Sequence, residues 1–135
     1  MTAPAPAVQA YWYIPRLDRG EWVLFLVDTG ASETTLNGIH ALALQSHMRT
    51  RTLSPSFGIG GSCQYFGERA IIVFRDDRNQ WLSRTIQRLG IQLIEQQHPS
   101  NSTVLYCPCL LGREILNDCI FNYNPSHNDV TLMFR

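Results

Sequence analysis

Apolar residues along this chain fall mainly into short runs of strand length, separated by polar and glycine-rich turns. The run Glu21–Val27 lacks a polar alternation at its centre, which is typical of a strand buried on both faces. Extended segments are expected at Tyr11–Pro15, Glu21–Val27, Leu53–Phe57, Ala70–Phe74, Val104–Leu111, Cys119–Tyr123 and Val130–Phe134. The pattern therefore predicts one domain dominated by β-strands.

Helical signals are few and short. Asn37 is a suitable N-cap for a helix that carries Ile39, Leu42 and Ala43 on one face. Arg113–Asp118 can form one or two further turns.

The segment Trp81–Ile94 is ambiguous. Leu82, Ile86, Leu89 and Leu93 recur at helical spacing, whereas Leu89, Ile91 and Leu93 alternate as they would in a strand. Periodicity alone slightly favours a helix.

Composition sets the class of protein. The chain has 135 residues, of which 44% are hydrophobic and 16% charged, so it can bury a core as a single domain. We expect a flexible tail over residues 1–10, rich in Pro and Ala, and one folded domain over residues 11–135.

Charge and hydropathy exclude several partners. Eleven Lys and Arg balance eleven Asp and Glu, so no basic surface for nucleic acid or an anionic membrane is expected. The longest apolar run, about seven residues, is too short to span a membrane. The first ten residues lack the basic start and apolar stretch of a secretory signal. We therefore expect a cytoplasmic protein whose four cysteines are free thiols.

The most informative chemistry lies at Asp28-Thr29-Gly30-Ala31-Ser32, where an apolar strand ends in a loop of small residues. Gly30 lets the backbone turn closely around the Asp28 carboxylate, and Thr29 offers a second hydrogen-bonding group. A carboxylate in this setting is poorly solvated and lies near backbone N–H donors, where its protonation can be tuned. An ordinary loop aspartate that caps a turn is the simpler alternative.

Two further motifs follow in order. Gly58-Ile59-Gly60-Gly61 is typical of a hairpin tip, and Leu110-Leu111-Gly112-Arg113 places a glycine between an apolar pair and the start of a helix. The order of the three motifs, spread over almost the whole chain, resembles that of the retropepsin-like aspartic proteases. The chain looks closest to the bacterial single-domain retropepsin-like proteins.

The resemblance implies an all-β fold, a closed and mainly antiparallel barrel with a short C-terminal helix. On that ground Trp81–Ile94 is expected to be a strand. The resemblance also implies a role for each motif residue. The catalytic set is Asp28, Thr29 and Gly30. The substrate-binding set is Leu26, Ala31, Ser32, Gly58, Ile59, Gly60 and Gly61, with Ile59 at the flap tip. The structural set behind the loop is Leu111, Gly112 and Arg113.

The sequence departs from the retroviral pattern beside the catalytic loop. Retroviral members often carry a second aspartate here that pairs with the arginine of the third motif, but this chain has Ser32 followed by Glu33. Arg113 is therefore expected to pair with Glu33 or Asp18, or to bond to backbone carbonyls.

Function follows from the number of carboxylates. Aspartic proteolysis needs two on one water, and this chain has a single Asp-Thr-Gly, so the second must come from another copy. We expect a homodimeric aspartic endopeptidase that acts on peptides in extended form, without cofactor or metal. A catalytically silent, dimeric peptide-binding module is the alternative.

Other potentially functional residues favour structural roles. Cys107-Pro108-Cys109 does not have the spacing of a zinc site, and Cys109 and Cys119 lie in apolar segments typical of a core. The three tryptophans, Trp12, Trp22 and Trp81, are expected to be core and barrel-lining aromatics and not a platform for a ligand. Four arginines are expected to be solvated: Arg49, Arg51, Arg84 and Arg88.

Overall fold

A computed structural model describes residues 5–58, 61–95 and 105–135. Strands and helices occupy short segments of this part of the chain. The strands are β1 Ala7–Ile14, β2 Arg19–Val27, β3 Thr35–Leu36, β4 Ser54–Gly58, β5 Gly61–Arg75, β6 Trp81–Gln92, β7 Cys109–Leu111, β8 Cys119–Asn124 and β9 Asp129–Phe134. The helices are α1 Gly38–Leu44 and α2 Arg113–Leu116, with single 3₁₀ turns at Gln45–His47 and Thr50–Thr52.

Six strands close into a barrel in the order β1-β2-β7-β3-β6-β5, and β5 pairs back with β1. Four of the six pairings are antiparallel, while β2–β7 and β3–β6 are parallel. The expected all-β barrel is therefore present, but it is mixed rather than mainly antiparallel. The reason is that two short strands, β3 and β7, lie between the long strands β2 and β6, and each of them pairs in parallel with its long neighbour.

Strand β2 has one buried face, so the expectation of burial on both faces is wrong. Val23, Phe25 and Val27 point into the core, whereas Trp22 and Leu24 on the other face are exposed. Because successive residues of a strand point to opposite faces, the continuous apolar run places hydrophobic side chains on the outer surface as well as in the core.

The ambiguous segment is the strand β6, which confirms the assignment made from the resemblance. It pairs along most of its length with β5, with an irregularity between Glu68 and Ala70. The last residues of β6 are buried on both faces, and apolar residues on both faces create an apparent helical spacing.

The first strand starts earlier than Tyr11. Ala7 pairs with Leu26, so residues 7–10 belong to β1 and not to a loose tail. Just before β1, the carbonyl of Pro6 accepts a hydrogen bond from the amide of Val27 at 2.8 Å.

Helix α1 begins after Asn37, as expected, but turns a different face inward. Gly38, Ala41 and Leu44 are buried, whereas Ile39 is 56% exposed. Gly38 has a φ of +63°, and a β-carbon there would lie 2.4 Å from the carbonyl oxygen of Leu105. This close backbone approach fixes how the helix starts and therefore which face it buries.

Strands β8 and β9 form a separate two-stranded sheet at the end of the chain. Their inner face packs on the barrel, where the rings of Phe134 and Phe74 lie 5.0 Å apart. The two strands confirm the expected C-terminal hairpin.

Candidate active site

Asp28 follows the last residue of β2, in a loop that leads to β3. Its amide donates to the carbonyl of Leu111 at 3.1 Å, and its carboxylate Oδ1 accepts the amide of Gly30 at 2.9 Å. The amide of Ala31 donates to the Asp28 carbonyl at 3.2 Å. Asp28 is half-buried and Thr29 and Gly30 are exposed, so the loop presents an oriented carboxylate at the surface.

The strand β7 lies directly behind this loop. It pairs in parallel with β2, with Leu111 opposite Val27, and antiparallel with β3, where Leu110 lies opposite Thr35. The apolar-apolar-Gly-Arg motif thus supplies a central strand that is bonded on both sides to the segments flanking Asp28.

Gly112 brings the end of β7 into backbone contact with the Asp28 loop. A β-carbon at this position would lie 2.4 Å from the carbonyl oxygen of Glu33 and 2.9 Å from the amide nitrogen of Thr34. The Gly112 amide donates to Thr34 Oγ1 at 3.1 Å, and the Arg113 amide donates to the Ala31 carbonyl at 2.8 Å. The successive amides of Gly112 and Arg113 therefore hydrogen-bond to the Asp28 loop at Thr34 and Ala31.

Glu114 is a residue that the sequence interpretation missed. Its carboxylate Oε1 accepts the amide of Thr34, so it forms a third bond to the same loop. Burial raises the pKa of Glu114, while the bond from Thr34 acts in the opposite direction. An acidic residue in the first turn of a helix is a recognisable signal, because helix N-termini favour carboxylates.

Arg113 does not form either ion pair expected from the sequence. Glu33 pairs instead with Arg88 at 3.8 Å, and Asp18 accepts the hydroxyl of Tyr13 at 2.6 Å. The Arg113 side chain is exposed and has no ion pair or side-chain hydrogen bond within the described residues.

Two arginines expected to be solvated are structural. Arg88 donates to the Thr52 carbonyl at 3.1 Å and to Ser54 Oγ at 2.7 Å, which ties β6 to the start of β4. Arg49 lies 3.5 Å from the buried carboxylate of Glu68.

The expected substrate-binding residues fall into two groups. Leu26 and Ala31 are half-buried and Ser32 is exposed, and all three lie within four positions of Asp28 in the chain. Strands β4 and β5 form the expected hairpin, in which Gly58 pairs with Gly61. Ile59 and Gly60 lie outside the described residues.

The cysteines considered as an alternative metal site have structural positions. Cys109 and Cys119 are buried, as expected, and burial raises the pKa of the Cys109 thiol to about 11. The part of the chain that is described contains no cluster of His, Cys, Asp or Glu able to hold a metal ion. None of its helices has the length and apolar character needed to cross a membrane.

The tryptophans divide differently from the expectation. Trp12 is buried in the barrel, but Trp22 is 39% exposed and Trp81 is 61% exposed. These two therefore line the outer surface and not the core.

Comparison with known proteins shows which solved structure this fold is similar to. The sequence matches no protein-family model and no curated protein. The structure is similar to that of the EIAV protease complexed with the inhibitor HBY-793, with a TM-score of 0.51 and 20% sequence identity. The match covers 85% of this chain and 88% of that chain. The likeness supports a retropepsin-like fold, while the closer relation to bacterial single-domain proteins stays a prediction.

Proposed function

We propose, from a fold similar to that of a retroviral protease, that this protein is an aspartic endopeptidase that works as a homodimer. The observation that carries the proposal is the Asp28 loop. An Asp-Thr-Gly segment ends a barrel strand, its carboxylate is oriented by the Gly30 amide, and β7 supports it from behind.

The proposed chemistry needs a second copy of the chain. One ionised carboxylate takes a proton from water while a protonated one polarises the scissile carbonyl. Two carboxylates a few ångströms apart share one proton, because both cannot be ionised together. Since the sequence has one Asp-Thr-Gly, each subunit supplies one Asp28 across a two-fold axis.

The residues around Asp28 suit an extended peptide. Gly30 is exposed; its amide donates to Asp28, and its carbonyl can accept a main-chain hydrogen bond from a peptide. Leu26, which lies two positions before Asp28 and is half-buried, is the proposed apolar contact. In the proposed enzyme the β4–β5 hairpin covers the peptide, adds strand-like hydrogen bonds and excludes water. The preferred substrates are therefore peptides with apolar side chains next to the scissile bond.

The decisive variant is Asp28→Asn, which keeps the shape of the side chain but cannot carry the proton. Cleavage of a peptide library, followed by mass spectrometry from about pH 4 to about pH 7, should be lost in this variant. Its unfolding midpoint in urea should hold or rise, because the wild-type dimer must hold two carboxylates close together at the cost of binding a proton and the amide pair need not. Asp77→Asn, an exposed substitution in the β5–β6 turn, is the matched control and should cleave as the wild type does.

Two outcomes contradict the proposal. Wild-type cleavage by Asp28→Asn means that Asp28 is not catalytic. If neither protein cleaves any peptide but both bind peptides equally, the catalytically silent binding module is the better description.

Assembly provides a second test. Activity should rise faster than linearly with protein concentration near the dimer dissociation constant, since only the dimer holds two carboxylates. Sedimentation velocity on the same samples gives the dimer fraction. Strictly linear activity from a protein that sediments as a monomer would remove the proposed mechanism.

A further inference from the structure

The outer face of the barrel carries an exposed aromatic cluster that the proposed protease function does not use. Trp22 on β2 and Trp81 at the start of β6 have ring centres 5.9 Å apart, and Tyr11 on β1 meets Trp22 edge-on at 5.6 Å. Large exposed apolar side chains on a protein surface are typical of binding sites.

Arg75, the last residue of β5, lies against both tryptophans. Its guanidinium carbon is 4.7 Å from the ring centre of Trp81 and 5.6 Å from that of Trp22. The two ring centres are themselves 5.9 Å apart, so the three groups form a compact triangle in which each contacts the other two. Arg75 is exposed and lines a cleft next to Trp22, so a ligand can reach it.

No carboxylate of the described residues neutralises Arg75. The neighbouring Asp76 is occupied in a turn, where its Oδ1 accepts the amides of Arg78 and Gln80 at 2.8 Å. The positive charge is therefore held in place by aromatic rings and is not paired with an anion.

A cleft of about 330 Å³ opens beside this charge, and its described lining residues are Gln9, Trp22 and Arg75. We call it the Arg75 cleft. It offers guanidinium N–H donors, a side-chain amide and one indole ring, which matches a carboxylate carried on a short, partly apolar group. Its volume is at the lower end of the range for ligand pockets and suits one or two residues of a peptide.

We propose that the Arg75 cleft binds a carboxylate of a peptide, at a site separate from the catalytic loop. Trp22 precedes Asp28 by six positions on β2, which corresponds to roughly 20 Å along an extended strand. The bound carboxylate comes from an acidic side chain or from a peptide C-terminus. Neither source depends on catalysis by Asp28.

The experiment follows the indole N–H signals of Trp22 and Trp81 in ¹⁵N NMR spectra of the Asp28→Asn protein, which keeps the probes intact if the chain is a protease. Three N-acetylated tetrapeptides serve as probes: Ala-Ala-Leu-Ala with a free C-terminus, the same peptide as its C-terminal amide, and Ala-Glu-Leu-Ala amide. The free acid or the glutamate peptide should shift both signals to saturation, and the uncharged amide should bind at least about tenfold more weakly. The stronger of the two charged probes identifies the source of the carboxylate.

Variants test whether Arg75 is responsible. Arg75→Gln should weaken the charged probe at least about tenfold, and Arg75→Lys should recover only part of the affinity because it lacks the planar fork. Arg69→Gln, an exposed change on the same strand, should bind as the Asp28→Asn parent does. Equal binding of charged and uncharged probes, unchanged binding in a folded Arg75→Gln protein, or absence of any shift each overturns the proposal. Because the readout is binding at the tryptophans, it fails or succeeds independently of peptide cleavage.

Discussion

Replacing Gly112 by alanine is expected to destabilise the barrel where β7 meets the Asp28 loop. The added β-carbon would lie 2.4 Å from both the carbonyl carbon and the oxygen of Glu33, and 2.9 Å from the Thr34 amide nitrogen. Ordinary contacts of this kind begin near 3.4 Å, so the overlap is about 1 Å. All three atoms belong to the backbone and cannot rotate away as a side chain would.

The cost can be estimated from this overlap. Overpacking by one carbon in a closely packed site typically costs about 1–3 kcal/mol, and a rigid backbone neighbour favours the upper part of that range. For a domain of this size, about 2–3 kcal/mol corresponds to a fall in Tm of roughly 6–12 °C. The Gly112 φ of −98° is open to alanine, so the effect is one of contact and not of backbone strain.

Urea unfolding followed by tryptophan fluorescence, at one fixed protein concentration, measures this loss. Gly30→Ala is the matched control, because among the described residues its β-carbon would approach only the Asp28 side chain, at 3.2 Å. The control should change the free energy of unfolding by less than about 1 kcal/mol while turning the carboxylate and reducing cleavage. A Gly112→Ala protein as stable as the wild type would refute the close packing of β7 against the loop.

Two further predictions concern the half-buried carboxylate of Glu114 and the buried carboxylate of Glu68. Because burial raises the pKa of Glu114 above its ordinary 4.5, its contribution to stability is complete below that pH and is lost as the pH rises through the folded-state pKa. As the pH rises from about 4 to about 7, the stability of Glu114→Gln should therefore increase relative to that of the wild type, as measured by the urea midpoints of the two proteins. A difference between the midpoints that does not change with pH would contradict this. The side chain of Glu68 is 2% exposed and accepts hydrogen bonds from both Nε and Nη2 of Arg16. Arg16→Met should lower the free energy of unfolding by about 3 kcal/mol, because the buried Glu68 carboxylate then keeps only Arg49 as an ion-pair partner among the described residues. Exposed Arg51→Met is the control, and equal losses in the two variants would show that the buried pair contributes nothing special.

The site was predictable where single residues force a geometry. An aspartate followed by threonine and glycine at the end of an apolar run identified the loop, and the resemblance placed Leu111, Gly112 and Arg113 behind it. Helix α2 and the C-terminal hairpin followed from local pattern alone. The flap residues Ile59 and Gly60 remain predictions.

Predictions failed where burial depends on distant partners. The apolar run of β2 gave no sign that Trp22 faces outward, since that depends on how many neighbouring strands cover the face. The partner of Arg88 is Glu33, 55 positions earlier, and no local pattern reveals such a pairing. For β6, periodicity favoured the wrong element because its end is buried on both faces, and the correct assignment came from the resemblance.

Strand β7 is only three residues long, yet together with Gly112 and the start of α2 it bonds to a loop that lies far earlier in the sequence. Thr34 and Glu114 are separated by 80 residues, and Thr34 and Gly112 by 78. Contacts of such separation form slowly, because a long loop must close before they contribute any energy. A chain emerging from the ribosome therefore carries Asp28 long before it carries the strand that supports it. The loop acquires its final shape only after α2 has been synthesised, so the unfinished chain does not yet hold the candidate active site.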